Sequence, residues 1–112
     1  PPLNNMKQAV RAPNATYKAN FASLSKLRLI GATKDTVVYP WQSEQFGGWE
    51  FTGEAESNTV FTMKDSTWYK DDTFGLKTLD NANKITFSTF DGDHLRFNDS
   101  YWNHDVLPFL AQ

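Results

Sequence analysis

The sequence has 112 residues, 11 Lys+Arg against 13 Asp+Glu and a formal net charge of -2, with 39% hydrophobic and 15% aromatic residues. That is room for one small domain or part of a larger one, with too many large apolar side chains for a disordered chain. The balanced charge, with no basic run, leaves no electrostatic footprint for nucleic acid, and no apolar stretch approaches the roughly 20 residues of a spanning helix.

Residues 1–13 hold Pro1, Pro2 and Pro13 with little periodicity, and read as an extended arm or processing linker. The chain opens Pro-Pro-Leu without an initiator Met, as expected of a processed product or a fragment. Asn14 is a plausible helix N-cap. Tyr17, Phe21, Leu24 and Leu27 recur behind it at helical spacing, which predicts an amphipathic helix of about three turns. Leu27–Ile30 is a short apolar run ended by Gly31 and reads as a buried strand. Lys34 and Asp35 form a polar turn, and Thr36–Tyr39 looks β-rich again. Residues 42–50 read as an irregular loop or short helix, Val60–Met63 as a strand or extended connection, and Phe74–Leu79 as a short helix. Ile85–Phe90 alternates as a strand, and Asp91-Gly92-Asp93-His94 breaks it. Beyond Asn98 or Ser100 as a cap, Trp102, Val106, Phe109 and Leu110 share one helical face, which predicts a docked terminal helix despite Pro108.

The absence of cysteine removes disulfides, thiolate metal sites and a cysteine nucleophile, and leaves His94 and His104 as the only imidazoles. In open α/β sheets, functional groups gather on the loops leaving the carboxyl ends of strands. Asp35 and His94 each follow a predicted strand, and in an α/β-hydrolase the triad runs in chain order serine, acid, histidine. The pair fits the second and third places; no serine here lies in a Gly-x-Ser-x-Gly turn. Taken alone, the same residues also fit two solvated turns, since aspartate is favoured there by its local hydrogen bonds.

A longer pattern bears on that choice. Lys34-Asp-Thr-Val-Val-Tyr-Pro-Trp-Gln-Ser-Glu-Gln-Phe-Gly47 resembles the acid-bearing loop of the palmitoyl-protein thioesterases. Tyr69-Lys-Asp-Asp-Thr-Phe-Gly-Leu-Lys-Thr-Leu-Asp80 and Gly92-Asp-His-Leu95 resemble the next two blocks, in the same order. Asn14–Asn20 is similar to the family's glycosylated helix start and Val106–Leu110 to its closing helix. The resemblance implies that residues 14–112 are the C-terminal part of an α/β-hydrolase domain: late strands, acid loop, histidine loop and closing helix. It implies Asp35 as triad acid and His94 as general base for hydrolysis of fatty-acyl thioesters or esters. The serine would lie on an N-terminal partner chain or missing part, and this chain alone would be inactive. It implies no cofactor and a lysosomal or secreted location, with which the sequons at Asn14 and Asn98 agree. Tyr39 and Gln42 stand where the family often has acidic residues and Gln45 where it often has an aromatic, which leaves the acyl pocket unassigned.

The remaining residues carry blander readings. Asp93 beside His94 and His104 makes a poor zinc set without a third strong donor. Asp71-Asp72 reads as a solvated acidic pair, and His104 as a polar-face residue. Trp41, Trp49, Trp68 and Trp102 fit core and pocket wall, or a sugar-stacking face. The alternative function is therefore a non-catalytic hydrolase relative or an aromatic-rich carbohydrate-binding or scaffold module.

Overall fold

Alternation in two short segments sets the architecture. The computed structural model describes residues 14–50 and 59–112, so the predicted arm at 1–13 lies outside the described residues. Strand β1 (Leu27–Ala32) and strand β4 (Ile85–Phe90) pair in parallel, Leu27 opposite Ile85 and Ala32 opposite Phe90. Odd-numbered Leu27, Leu29 and Ile85 join one hydrophobic cluster. The even positions turn to the other face, where Arg28 donates to the Thr86 hydroxyl (3.3 Å) and pairs with Asp105, and the Ser88 hydroxyl donates to Asp105 (2.5 Å). This period of two places helices on both faces of the pair, an α/β arrangement.

Helix α1 (Ala15–Ala22) starts where Asn14 Oδ1 accepts from the Thr16 and Tyr17 amides at 3.0 and 3.1 Å. Its eight residues make it shorter than the spacing predicts, and Leu24 lies beyond its end, 39% exposed. Phe21 meets Phe74 edge-on at 5.0 Å and ties α1 to the core. The predicted strand does not stop at Gly31. It runs through it, because a Cβ there would lie 2.7 Å from two ring carbons of Trp41 and only glycine admits the indole.

The long connection from β1 to β4 supplies the core. After a 3-10 turn at Trp41–Gln45 come β2 (Gly48–Trp49), paired antiparallel with β3 (Val60–Phe61), and a second 3-10 turn at Met63–Asp65. Helices α2 (Thr67–Lys70) and α3 (Leu76–Asn81) follow. Ser66 caps α2 by accepting from the Tyr69 amide at 3.2 Å. Gly75 precedes α3 with φ 102°, a conformation that disfavours a side chain. Leu76 and Leu79 are fully buried among Leu29, Met63, Tyr69, Phe74 and Ile85, each contributing roughly 1.5–3 kcal/mol of burial free energy. Asp72 is not a solvated acid: its carboxylate accepts from the Thr78 amide (3.2 Å) and hydroxyl (2.5 Å) and pairs with Lys18 at 3.4 Å. Its neighbour Asp71 is exposed.

The C-terminal helix is continuous but uneven. It runs as α4 (Asp99–Tyr101), a π-helical turn at Trp102–Val106 and α5 (Leu107–Leu110), capped by Asn98 Oδ1 on the Tyr101 amide at 2.8 Å. Pro108 has no N–H to donate, and the wider turn ahead of it absorbs one extra residue. That residue rotates the predicted apolar face. Tyr101, Asp105, Val106 and Phe109 turn inward, whereas Trp102 and Leu110 are 40% and 62% exposed. The segment Thr36–Tyr39 forms bends, not a strand, and its cause belongs to the site.

Candidate active site

Because β1 and β4 run in parallel and end level, the turns that leave them emerge side by side. Backbone and side chains then stitch the turns together. The Thr33 amide donates to the Phe90 carbonyl (3.0 Å), the Lys34 amide to the Gly92 carbonyl (3.0 Å), and Lys34 Nζ pairs with Asp91 at 3.1 Å. Asp35 and His94 are thereby carried to one place.

Asp35 Oδ2 lies 2.6 Å from His94 Nδ1, and the aspartate side chain is wholly buried while the imidazole keeps 34% of its surface. Asp35 Oδ1 accepts from the Val37 and Val38 amides, each at 2.7 Å. These two bonds explain why Thr36–Tyr39 is no strand: the carboxylate captures the amides a ladder would need. Burial disfavours charge on Asp35, but the Val38 amide, Glu44, His94 and the Val37 amide together hold its carboxyl well below the usual carboxylate range. A buried carboxylate on Nδ1 fixes the neutral imidazole with its proton on Nδ1, so that Nε2 is the acceptor. Among the described residues no group bonds Nε2.

Asp93 braces the pair from behind. Its Oδ1 accepts from the Thr36 amide (2.8 Å) and the His94 amide (2.7 Å), and the Thr36 hydroxyl lies 2.9 and 3.0 Å from its two oxygens. The Thr36 amide, then the His94 amide and the Thr36 hydroxyl, lower the Asp93 carboxyl below its ordinary 3.8. A lowered native value means that the carboxylate's contribution to stability is complete above 3.8 and is lost as pH falls below it toward the native value. Asp93→Asn should therefore be less stable than wild type at neutral pH, with the gap closing in strong acid. Thermal unfolding at about pH 6 and about pH 3 measures this; a gap of the same size at both would refute it.

Glu44, on the 3-10 turn, completes the cluster. Its Oε2 accepts from the Ala32 amide at 3.0 Å, and Glu44, Asp35 and His94 each bring one donor atom within 4.8 Å of the others. Burial pushes the Glu44 carboxyl up, and the Asp35 carboxylate beside it pushes it further, against the Ala32 amide and His94. Three such groups form the beginnings of a metal set. Here Nδ1 carries a proton and donates it to Oδ2, so Nδ1 has no lone pair to give a metal, which is the geometry of a proton-sharing network.

The comparisons with known proteins bear on what this cluster serves. The family model for palmitoyl protein thioesterase matches residues 1–94, from the first residue to His94. The chain belongs to the palmitoyl-protein thioesterase family. It is 36% identical over 94 residues to palmitoyl-protein thioesterase 1 of Caenorhabditis elegans, covering 84% of this chain and 30% of that protein. It is 42% identical over 92 residues to lysosomal thioesterase PPT2-B of Xenopus laevis, covering 82% and 30%. Against human lysosomal thioesterase PPT2 it is 43% identical over 68 residues, covering 60% and 21%. The chain thus spans less than a third of the length of these thioesterases.

Other positions singled out by sequence fall elsewhere. Gln45 uses Nε2 to reach the carbonyls of Leu29 (3.2 Å) and Ser88 (2.9 Å), one on each parallel strand. Tyr39 is 79% exposed and tilts against Trp49 at 5.4 Å; Gln42 packs beside Gly47. The tryptophans have neighbours inside the fold: Trp41 on Gly31, Trp68 edge-on to Phe61 at 5.5 Å, Trp102 stacked on Phe97 at 6.0 Å. His104 Nδ1 donates to the Ser100 carbonyl at 2.8 Å, and neither it nor Asp93 joins the cluster at Asp35. Asn14 and Asn98 are both exposed N-caps. The residue that sequence reasoning passed over is Glu44. It stands inside the acid-loop block, but a lone glutamate on a loop carries no signal that it turns inward.

Proposed function

We propose that this chain supplies the acid and the general base of a serine thioesterase acting on fatty-acyl thioesters. One observation carries the reading: in a member of this family, a buried aspartate anchored by two amides holds a partly exposed imidazole at 2.6 Å on its Nδ1, beside the carboxyl ends of two parallel strands. A third group, a serine hydroxyl from the remainder of the enzyme, would face Nε2. In the reaction His94 Nε2 takes the serine proton as Oγ bonds to the thioester carbonyl carbon, and Asp35 stabilises the imidazolium. Collapse of the tetrahedral intermediate breaks the C–S bond, and His94 returns the proton to the departing thiol. Water, deprotonated by the same nitrogen, then releases the fatty acid and restores the serine.

The strands are read as the last two of an α/β-hydrolase sheet. Support comes from the unfinished edge of β1. Leu27 and Thr33 direct their amides to β4, so Arg28 and Ile30 between them direct theirs outward, where the serine-bearing part would add the preceding strand. By analogy with the relatives named lysosomal thioesterases, we assign the enzyme to the lysosome, with Asn14 and Asn98 as glycan acceptors. No described helix is long and apolar enough to cross a membrane.

The test is a fluorophosphonate probe applied to this chain together with the serine-bearing remainder. One serine on the remainder should be labelled, and a palmitoyl thioester should slow the labelling in competition. An assembled enzyme that neither labels nor releases thiol from a palmitoyl thioester would rule the proposal out.

A further inference from the structure

The proposed mechanism uses Asp35 and His94 and leaves Glu44 idle, yet Glu44 is inside the same cluster. Its Oε2 rests on the Ala32 amide at 3.0 Å, while its Oε1 is buried and, among the described residues, meets no hydrogen-bond donor. A buried carboxylate oxygen without a donor is costly, and an ionised Asp35 alongside makes it costlier still. Two carboxyl groups this close disfavour ionising together, so the one with fewer donors is pushed toward its neutral form. The division is decided by donors. Asp35 receives the Val37 amide, the Val38 amide and His94 Nδ1, whereas Glu44 receives the Ala32 amide alone. The charge therefore stays on Asp35, and a proton on Glu44 turns the orphaned oxygen into a donor.

We infer that Glu44 is a positioning residue held as the neutral acid, its carboxyl O–H donating to Asp35 while Oε2 remains on the backbone of Ala32. The consequence runs through Asp35 to the imidazole. A donor on Asp35 draws off part of its negative charge, so the carboxylate acts less strongly on the imidazole it holds. Among the described residues the charged or titratable neighbours are few. Asp35 and Glu44 face His94, Asp93 faces Asp35 from the histidine turn, and Lys34 and Asp91 on the flanking turns neutralise one another at 3.1 Å. Burial and the neighbouring Asp35 carboxylate both raise the Glu44 carboxyl, in the direction this arrangement requires.

Two measurements on the assembled enzyme test this, and only the second depends on His94 being the general base. The infrared difference spectrum between wild type and Glu44→Gln at neutral pH should contain the carbonyl stretch of a protonated carboxylic acid; a carboxylate pair of bands in its place overturns the inference. In the pH profile of kcat/KM, Glu44→Met, similar in shape but without a donor, should move the acid limb up by about one pH unit, with KM little changed. Glu44→Gln, which restores an N–H donor, should return the limb to its wild-type position. Equal profiles for Met and Gln would overturn it. Should Glu44→Met not fold, the infrared band and the Gln profile decide the matter: an acid limb for Gln displaced as far as one unit also overturns it. If His94→Ala retains full turnover, the general-base reading fails, and the infrared band still decides Glu44 by itself.

Discussion

His94→Ala in the assembled enzyme should lower the rate of palmitoyl thioester hydrolysis by about four to six orders of magnitude, because the members of a serine triad act as one unit and loss of one forfeits most of what all supply. The fold should persist. His94 sits on a turn with a third of its surface exposed, and among the described residues its side chain hydrogen-bonds only to Asp35. The amides of Val37 and Val38 still hold the carboxylate, and Asp93 still holds the turn through Thr36. KM should therefore stay near the wild-type value and the thermal midpoint should fall little, so that the loss appears in kcat. Turnover within tenfold of wild type, with the variant folded, would remove His94 from the mechanism.

Some of this arrangement was legible in the sequence, and the division has physical causes. Ile85–Phe90 alternates with period two and is β4 to the residue, since both of its faces must satisfy different neighbours. Asn14 reads as a cap and is one, and of the two candidates Asn98 and Ser100 it is Asn98 that caps, because that signal is local to one turn of backbone. Thr36–Tyr39 misled for the opposite reason. Val37 and Val38 favour strand, but a carboxylate two and three residues away captures their amides, and composition does not record where a side chain turns. Helix α2 has only four residues, too few for any period, and depends on its Ser66 cap and on the burial of Tyr69. The C-terminal face shifted by one residue at a π turn, which an ideal 3.6 spacing does not anticipate. Asp35 and His94 each look like ordinary turn residues. What distinguishes them is parallel pairing between segments far apart in the chain, and only the family's ordered blocks hinted at that. Glu44 shows the limit: it is turned inward onto the Ala32 amide, a contact between two residues that neither one's neighbours foretell.

Asp35→Asn should cost about four orders of magnitude in kcat while leaving the turn intact. The amide is the same size as the carboxylate, and its oxygen can still accept from Val37 and Val38. What changes is the group opposite His94 Nδ1. An NH2 there offers a donor where the ring nitrogen needs an acceptor, so the imidazole takes the other tautomer, with its proton on Nε2. The serine hydroxyl then faces a donor, and nothing removes its proton. Asp35→Ala loses the same chemistry and also the two bonds that shape residues 36–38, so it should be equally inactive and less stable than the asparagine variant. The comparison separates electrostatics from architecture. If Asp35→Asn keeps most of its turnover, the carboxylate serves only to shape the loop; if it loses turnover and melts like wild type, the charge and the tautomer it fixes are what the reaction requires.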